Sequence, residues 1–98
     1  MVAYWVARAT VNDPEQYKKY AELAPAILHK YGGKFLARGG RFKILEGPAK
    51  FSRFVVIEFP TLEQAVACHG SAEYQAAARL RQKDGASELE LVIVESLA

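Results

Sequence analysis

The chain has 98 residues, of which 51% are hydrophobic and 24% are charged. This length allows one hydrophobic core but not two, and the composition is that of a folded globular domain rather than a disordered chain. The 13 lysines and arginines exceed the 11 acidic residues by only two and are scattered, which argues against a nucleic-acid-binding or membrane-binding surface.

A strand and a helix are predicted first. Residues 2–11 alternate and are rich in β-branched and aromatic side chains, which is typical of a strand. Asp13 followed by Pro14 is a helix start, because aspartate caps the first turn and proline tolerates the first helical position. Apolar and aromatic residues then recur at the spacing of one helix face, and Gly32-Gly33 ends the helix.

Two strands follow this helix. Residues 34–38 predict a short strand, interrupted by the glycine pair at residues 39–40 and interpreted as resuming at residues 42–45. Residues 51–59 are the strongest strand pattern in the chain, because they are almost continuously β-branched or aromatic.

The last part of the chain predicts a broken helix and a final strand. Thr61 with Gln64 has the spacing of a capping box and opens the helix. Gly70-Ser71 breaks this helix and caps a second piece over residues 72–82, and residues 87–95 form the last strand.

The predicted order is β-α-β-β-α-β, the pattern of the ferredoxin-like split fold. Right-handed crossovers then place the helices on one face of a four-stranded antiparallel sheet. We therefore predict an α+β class protein with a single domain over residues 1–98.

The strands are apolar on both faces, which predicts a homodimer. Phe54 and Val56 point one way in the third strand while Val55, Ile57 and Phe59 point the other. In the last strand, Leu89, Leu91 and Ile93 oppose Val92 and Val94. The helices can cover only one face, and a second copy of the sheet would cover the other. The alternative is that long loops cover it, but the connections are predicted to be short.

The cysteine and histidine content indicates the cellular compartment and restricts the cofactors that the chain could hold. The single cysteine, Cys68, excludes an intrachain disulfide and favours a reducing compartment, and the N-terminal segment is interpreted as a strand rather than a signal peptide. No apolar run approaches the length that crosses a bilayer. We expect a cytoplasmic protein. Two histidines and one cysteine predict no metal site and no cofactor, although His69 alone could ligate haem.

An ordered set of short motifs along the chain resembles one bacterial family, called "domain of unknown function 1330". The motifs are Tyr4-Trp5, Asp13-Pro14, Tyr17 with Tyr20, Tyr31-Gly32-Gly33, Arg38-Gly39-Gly40, Glu46-Gly47, Arg53, Glu58-Phe59, and Ser71 with Glu73-Tyr74-Gln75. The resemblance implies a protomer of the dimeric α+β barrel superfamily, whose relatives include cofactor-free monooxygenases, lactone isomerases and haem-binding enzymes. The family itself has no settled activity. Where its members often carry an aromatic pair, this chain has Cys68 and His69.

Six residues are candidates for a functional site, because the topology should gather them at one end of the domain. We assign His69 and Arg38 to catalysis, since an imidazole can take a phenolic proton and a guanidinium can steady the oxyanion. The residues assigned to substrate binding are Tyr4, Trp5, Arg53 and Tyr74. Aromatic walls with a cation suit a small aromatic or anionic ligand.

Structural roles remain open for the same residues. His69 could simply cap its helix, and Arg38 or Arg53 could pair with Glu46 or Glu58. Trp5 could belong to the core or to the dimer interface.

Three functions compete at this point. The first is a small-molecule binder or cofactor-independent enzyme, of monooxygenase or isomerase type, with its pocket between the helices and the sheet. The second is a non-catalytic ligand-sensing or structural dimer. The third, RNA binding, is disfavoured because residues 50–57 have only Phe54 at the positions of the aromatic stacking signature.

Overall fold

The computed structural model describes residues 1–98 and contains four strands and three helices. The strands are β1 (Ala3–Val11), β2 (Lys34–Arg38), β3 (Arg53–Phe59) and β4 (Ser87–Glu95). The helices are α1 (Pro14–Lys30), α2 (Leu62–Gly70) and α3 (Ala72–Gln82), and a 3₁₀ turn at Lys83–Gly85 precedes β4. No helix is both long enough and apolar enough to cross a membrane.

The helix starts predicted from the sequence are confirmed. Asp13 Oδ1 accepts a hydrogen bond from the backbone N–H of Gln16 at 3.2 Å, and Thr61 Oγ1 accepts one from Gln64 at 3.0 Å. Ser71 Oγ accepts one from Tyr74 N–H at 3.1 Å, so the break between α2 and α3 is also a cap. Each cap satisfies an amide that the first helical turn leaves without a partner.

The sheet order is β2-β3-β1-β4, and every neighbouring pair is antiparallel. This is the ferredoxin-like arrangement, with α1 running between β1 and β2 and with α2 and α3 between β3 and β4. The predicted fold class is therefore confirmed.

One predicted element is wrong. The second strand does not resume at residues 42–45, because residues 39–52 form an irregular loop. Gly39 adopts φ +64° and turns the chain at the end of β2, and no strand of the protomer lies beside residues 42–45 to pair with them. The expectation of uniformly short connections was thus also wrong.

The helix-facing side of the sheet holds the core. On this side β1 contributes one large residue, Trp5, which is 2% exposed, and three small buried residues, Ala3, Ala7 and Ala9. The central strand β3 adds Ile57 and Phe59, both buried. The helices pack onto these residues and complete the core.

The other side of the sheet, which we call the bare face, has no helix on it. Val6, Val56 and Val92 form a row across β1, β3 and β4, three neighbouring strands of the sheet. Val92 is 62% exposed and Val94 is 53% exposed. The loop reaches only one end of this face, where the ring centroids of Phe42 and Phe54 are 4.8 Å apart. The prediction of two apolar faces is confirmed, and covering loops do not account for the second one.

Candidate functional site

A narrow cavity lies between α1 and the helix-facing side of the sheet. It exists because Ala7 of β1 and Ala21 and Ala24 of α1 are small, so that the two layers do not close on each other. Its volume of about 30 Å³ is room for about two water molecules. The larger wall residues are Trp5, Tyr17, Tyr20, Phe35, Leu89 and Leu91. The cavity is therefore small and mostly apolar.

Arg38 at the end of β2 and Arg53 at the start of β3 bring positive charge to this cavity. The Arg38 guanidinium lies 4.8 Å from the ring centroid of Phe35, and its Nη2 donates to the Ala21 carbonyl at 3.2 Å. The Arg53 guanidinium lies 5.5 Å from the ring centroid of Tyr17, and its buried Nε has no hydrogen-bond partner.

Neither arginine has a carboxylate partner. The four ion pairs of the protein all involve other residues, so the pairing with Glu46 or Glu58 considered from the sequence is absent. Arginine offers five N–H donors and no acceptor. Arg38 and Arg53 therefore leave donors and positive charge free at the edge of an apolar cavity.

Gly39 gives the Arg53 side chain the space it occupies. Its φ of +64° is left-handed, and a Cβ at this position would overlap Arg53 Nη1. We expect Gly39→Ala to lower the free energy of unfolding by about 1–2 kcal/mol from backbone strain, and to displace the guanidinium. Urea unfolding measures the first effect. Gly40→Ala is the matched control because a Cβ there meets nothing within 4 Å; equal stability of the two variants would contradict the argument.

Three of the predicted site residues form an aromatic cluster at α2 and α3. The Trp5 ring centroid lies 5.7 Å from that of His69 and 5.2 Å from that of Tyr74, and the His69 and Tyr74 centroids are 5.5 Å apart. Trp5 lines the cavity, but His69 does not. His69 instead lines a shallow surface depression with Val66 and Ile93. The imidazole is therefore not in the cavity that contains Arg38.

The six predicted residues thus do not gather in one place. Arg38, Arg53 and Trp5 line the cavity, and His69 and Tyr74 contact Trp5 from outside it. Tyr4 precedes Trp5 on β1, so its side chain lies on the bare face. The expectation of a single cluster was wrong because β1 and β3 are antiparallel, so that Tyr4 lies opposite Glu58 near the end of β3 whereas Arg53 lies opposite Ala9 near the other end of β1. The side chain of Tyr4 also points to the other face of the sheet.

Sequence reasoning missed a buried network beside the cavity. Tyr20 Oη and Tyr74 Oη are 2.8 Å apart, and Arg81 Nη2 lies 3.4 Å from Tyr74 Oη. The Arg81 guanidinium also lies 5.1 Å from the Tyr20 ring centroid. The seven-residue spacing of Tyr74 and Arg81 puts both on one face of α3, and this signal could have identified the pair.

The environment of this network raises the pKa of the Tyr20 hydroxyl, which therefore stays protonated at neutral pH. Burial raises the pKa of Tyr20, and the neighbouring Tyr74 raises it further. Cys68, also buried, behaves in the same way, since desolvation raises the pKa of its thiol to about 11. A thiol of that pKa is protonated at neutral pH and is a poor nucleophile.

Comparisons with known proteins agree on the family and the fold. A family model described as "Domain of unknown function (DUF1330)" matches residues 2–97. No curated protein matches the chain. Among solved structures, RPA0582, a protein of unknown function from Rhodopseudomonas palustris, is similar with a TM-score of 0.75 and 19% identity, covering 99% of this chain and 83% of that one.

Two further structures share the fold. SnoaB, a cofactor-independent oxygenase from Streptomyces nogalater, has a TM-score of 0.66 at 15% identity, covering 99% of this chain and 94% of its own. A dimeric ferredoxin-like protein of unknown function from Jannaschia sp. CCS1 has a TM-score of 0.66 at 14% identity, covering 98% and 100%. At these identities the likeness is one of fold alone.

Proposed function

The chain belongs to the DUF1330 family, and we propose that it binds a small, largely apolar anion in the cavity between α1 and the sheet. The observation that carries this proposal is the pair of arginines, Arg38 and Arg53, which line an aromatic cavity without a carboxylate partner. A ligand carboxylate or phenolate would supply the missing charge and accept charge-assisted hydrogen bonds. An aromatic body would pack between the rings of the walls.

The cavity is too small for such a ligand unless side chains at its edge move. About 30 Å³ does not hold an aromatic ring. Arg38 is exposed and Arg53 is half-buried, so both side chains have solvent into which they can move. The arginines therefore act as a gate that opens outward and then closes on the anionic group of the ligand.

The cavity supports a role in binding better than it supports a catalytic role for His69. No histidine, cysteine or carboxylate lines the cavity, so proton transfer at neutral pH has no ready group there. This observation favours the non-catalytic, ligand-sensing alternative. The enzyme alternative is supported by the fold shared with SnoaB, a cofactor-independent oxygenase. Consumption of the ligand would distinguish the two.

Calorimetry with a charged and a neutral probe of the same shape tests the proposal. Benzoate is expected to bind and benzamide to bind at least about 10-fold more weakly, because only benzoate pairs with a guanidinium. Arg38→Met and Arg53→Met are each expected to weaken benzoate binding about 10-fold or more, since a hydrogen bond to a charged group contributes about 1.5–3 kcal/mol.

Arg79→Met is the matched control for these variants, because Arg79 is an exposed arginine of α3 that does not line the cavity. It should leave benzoate binding unchanged. Benzoate that fails to bind at millimolar concentration, or that binds all four proteins alike, would overturn the proposal.

We also propose that the protein is a homodimer that buries the bare face. Val6, Val92 and Val94 expose apolar surface there, and the protomer measures only 17 Å in its shortest dimension because one layer is uncovered. The charged pair Arg8 and Glu90, 2.8 Å apart, lies at the edge of this surface. An apolar centre with a polar edge is the usual anatomy of an interface. The structural relative from Jannaschia is described as dimeric.

A further inference from the structure

We propose that the Tyr20–Tyr74–Arg81 network is a second binding point of the cavity, at which the Tyr20 hydroxyl donates a hydrogen bond to an oxygen of the ligand. This inference rests on the proposed function, since it requires a ligand in the cavity. It adds that the ligand carries a carbonyl, phenolic or enolic oxygen apart from its anionic group.

The count of donors and acceptors in the network carries the argument. Arg81 supplies only donors, and Tyr20 and Tyr74 supply one hydroxyl hydrogen each. The two hydroxyl groups share a single hydrogen bond, of 2.8 Å, and neither has another acceptor in the protein. One buried hydroxyl hydrogen is therefore left without an acceptor, whichever tyrosine donates to the other.

Arg81 decides which hydroxyl keeps its free hydrogen. Its Nη2 lies 3.4 Å from Tyr74 Oη, and this positive group attracts the oxygen and repels the hydrogen. Tyr74 accordingly directs its hydrogen to Tyr20 Oη. The hydrogen of Tyr20 is the one that remains free.

Tyr20 is also the member of the network that faces the cavity. Tyr20 lines the cavity, whereas Tyr74 and Arg81 do not. A ligand that enters the cavity therefore meets Tyr20 first, and we expect it to reach the Tyr20 hydroxyl, while Tyr74 and Arg81 act through that hydroxyl as positioning residues.

The burial of Arg81 shows that the network is short of acceptors. The side chain belongs to a residue that is 5% exposed, its Nε has no partner, and it forms none of the four ion pairs. A buried cation without an anion is unfavourable unless other groups compensate it. Here the Tyr20 ring and the Tyr74 oxygen compensate the cation. The cation in turn polarises the hydrogen bond between the Tyr74 and Tyr20 hydroxyl groups.

A matched pair of probes tests the inference. Acetylbenzoate and isopropylbenzoate, as 3- and 4-isomers, have the same charge and nearly the same shape, but only the acetyl group carries an acceptor oxygen. We expect the wild-type protein to prefer at least one acetylbenzoate isomer about 5-fold or more over its isopropyl counterpart, and Tyr20→Phe to abolish that preference. The preference is a ratio of two affinities, so a general loss of packing does not change it.

Two more variants distinguish a positioning role of Tyr74 and Arg81 from a purely structural role. Tyr74→Phe and Arg81→Met should each reduce the preference, and Arg81→Met should leave the unfolding midpoint unchanged or higher because it removes a buried charge. Tyr31→Phe is the control: it removes a hydroxyl that donates to Glu73 at 3.1 Å, outside the cavity. The Tyr31→Phe variant should prefer the acetylbenzoate over the isopropylbenzoate by the same factor as the wild type.

The outcomes distinguish the two proposals. If benzoate itself does not bind, the proposed function fails and the inference fails with it; if benzoate binds but neither substituted probe does, the inference alone is overturned. If both probes bind the wild type equally, or if Tyr20→Phe keeps the preference, the inference is overturned while the anion site at Arg38 and Arg53 stands. A lower unfolding midpoint of Arg81→Met with an unchanged preference would assign Arg81 a structural role instead.

Discussion

Val6→Glu is expected to convert a dimer into single chains of 10.9 kDa. Val6 lies at the centre of the bare face, opposite Val56 on β3 and Val92 on β4. Two-fold symmetry would bury two of the new carboxylates in one interface, and each buried, unpaired carboxylate costs several kcal/mol. The dimer should therefore weaken by at least about 100-fold, which corresponds to about 2.7 kcal/mol. Sedimentation velocity at micromolar concentration measures the change.

Two controls accompany this variant. Val6→Thr keeps the shape and should remain a dimer, with some loss of affinity. Val66→Glu places the same charge on α2, where Val66 is 55% exposed and lies on the helix-covered side of the sheet rather than on the bare face, and should also remain a dimer. Circular dichroism verifies that each variant is folded. A wild-type protein that sediments as a monomer, or a Val6→Glu variant that stays dimeric, would refute the assembly.

Trp5→Ala should lower the free energy of unfolding by about 3–5 kcal/mol, because it removes a buried indole and leaves a void that the core cannot close. Trp5 is 2% exposed, and its ring centroid lies 5.8 Å from that of Phe59 and 5.2 Å from that of Tyr74. A domain of this size is stable by about 5–15 kcal/mol in total. The variant should therefore retain only a fraction of the wild-type stability.

Urea unfolding at a fixed protein concentration measures this loss, and the concentration is held constant because dimerisation contributes to stability. Trp5→Phe keeps an aromatic ring in the core and should lose clearly less. Val66→Ala, at a 55% exposed position of α2 that is outside the bare face, is the control for loss of an exposed apolar side chain. A loss below about 1 kcal/mol for Trp5→Ala would mean that the core is less tightly packed around the indole than the structure shows.

Local patterns predicted most of the secondary structure. The bounds predicted for β2, α3 and β4 agree with those observed. The caps at Asp13, Thr61 and Ser71 lie where the sequence indicated. These features could be predicted because side chains within a few residues of one another decide them. Residues 42–45 look like a strand by the same local criterion, but a strand also needs a neighbour, and the loop provides none.

Local sequence patterns predicted the candidate site less well than they predicted the secondary structure. Of the six predicted residues, Arg38, Arg53 and Trp5 line one cavity. Arg38 lies opposite Val55 on β3, two residues along the strand from Arg53. His69 was expected beside Arg38, yet it lies outside the cavity that Trp5 lines. Arg81 was not considered at all, although its seven-residue spacing from Tyr74 places both residues on one face of α3.

The sequence by itself determined the order of the elements and showed that the strands are apolar on both sides, so that two faces of one sheet need to be covered. Alternation and capping carry this information because they act over a few residues. Only the tertiary structure decided that Arg38 and Arg53 lack carboxylate partners, that Tyr20 contacts Tyr74, and that Arg81 is buried. These are relations between side chains from distant parts of the chain, and the packing of α1 and α3 against each other and the sheet creates them.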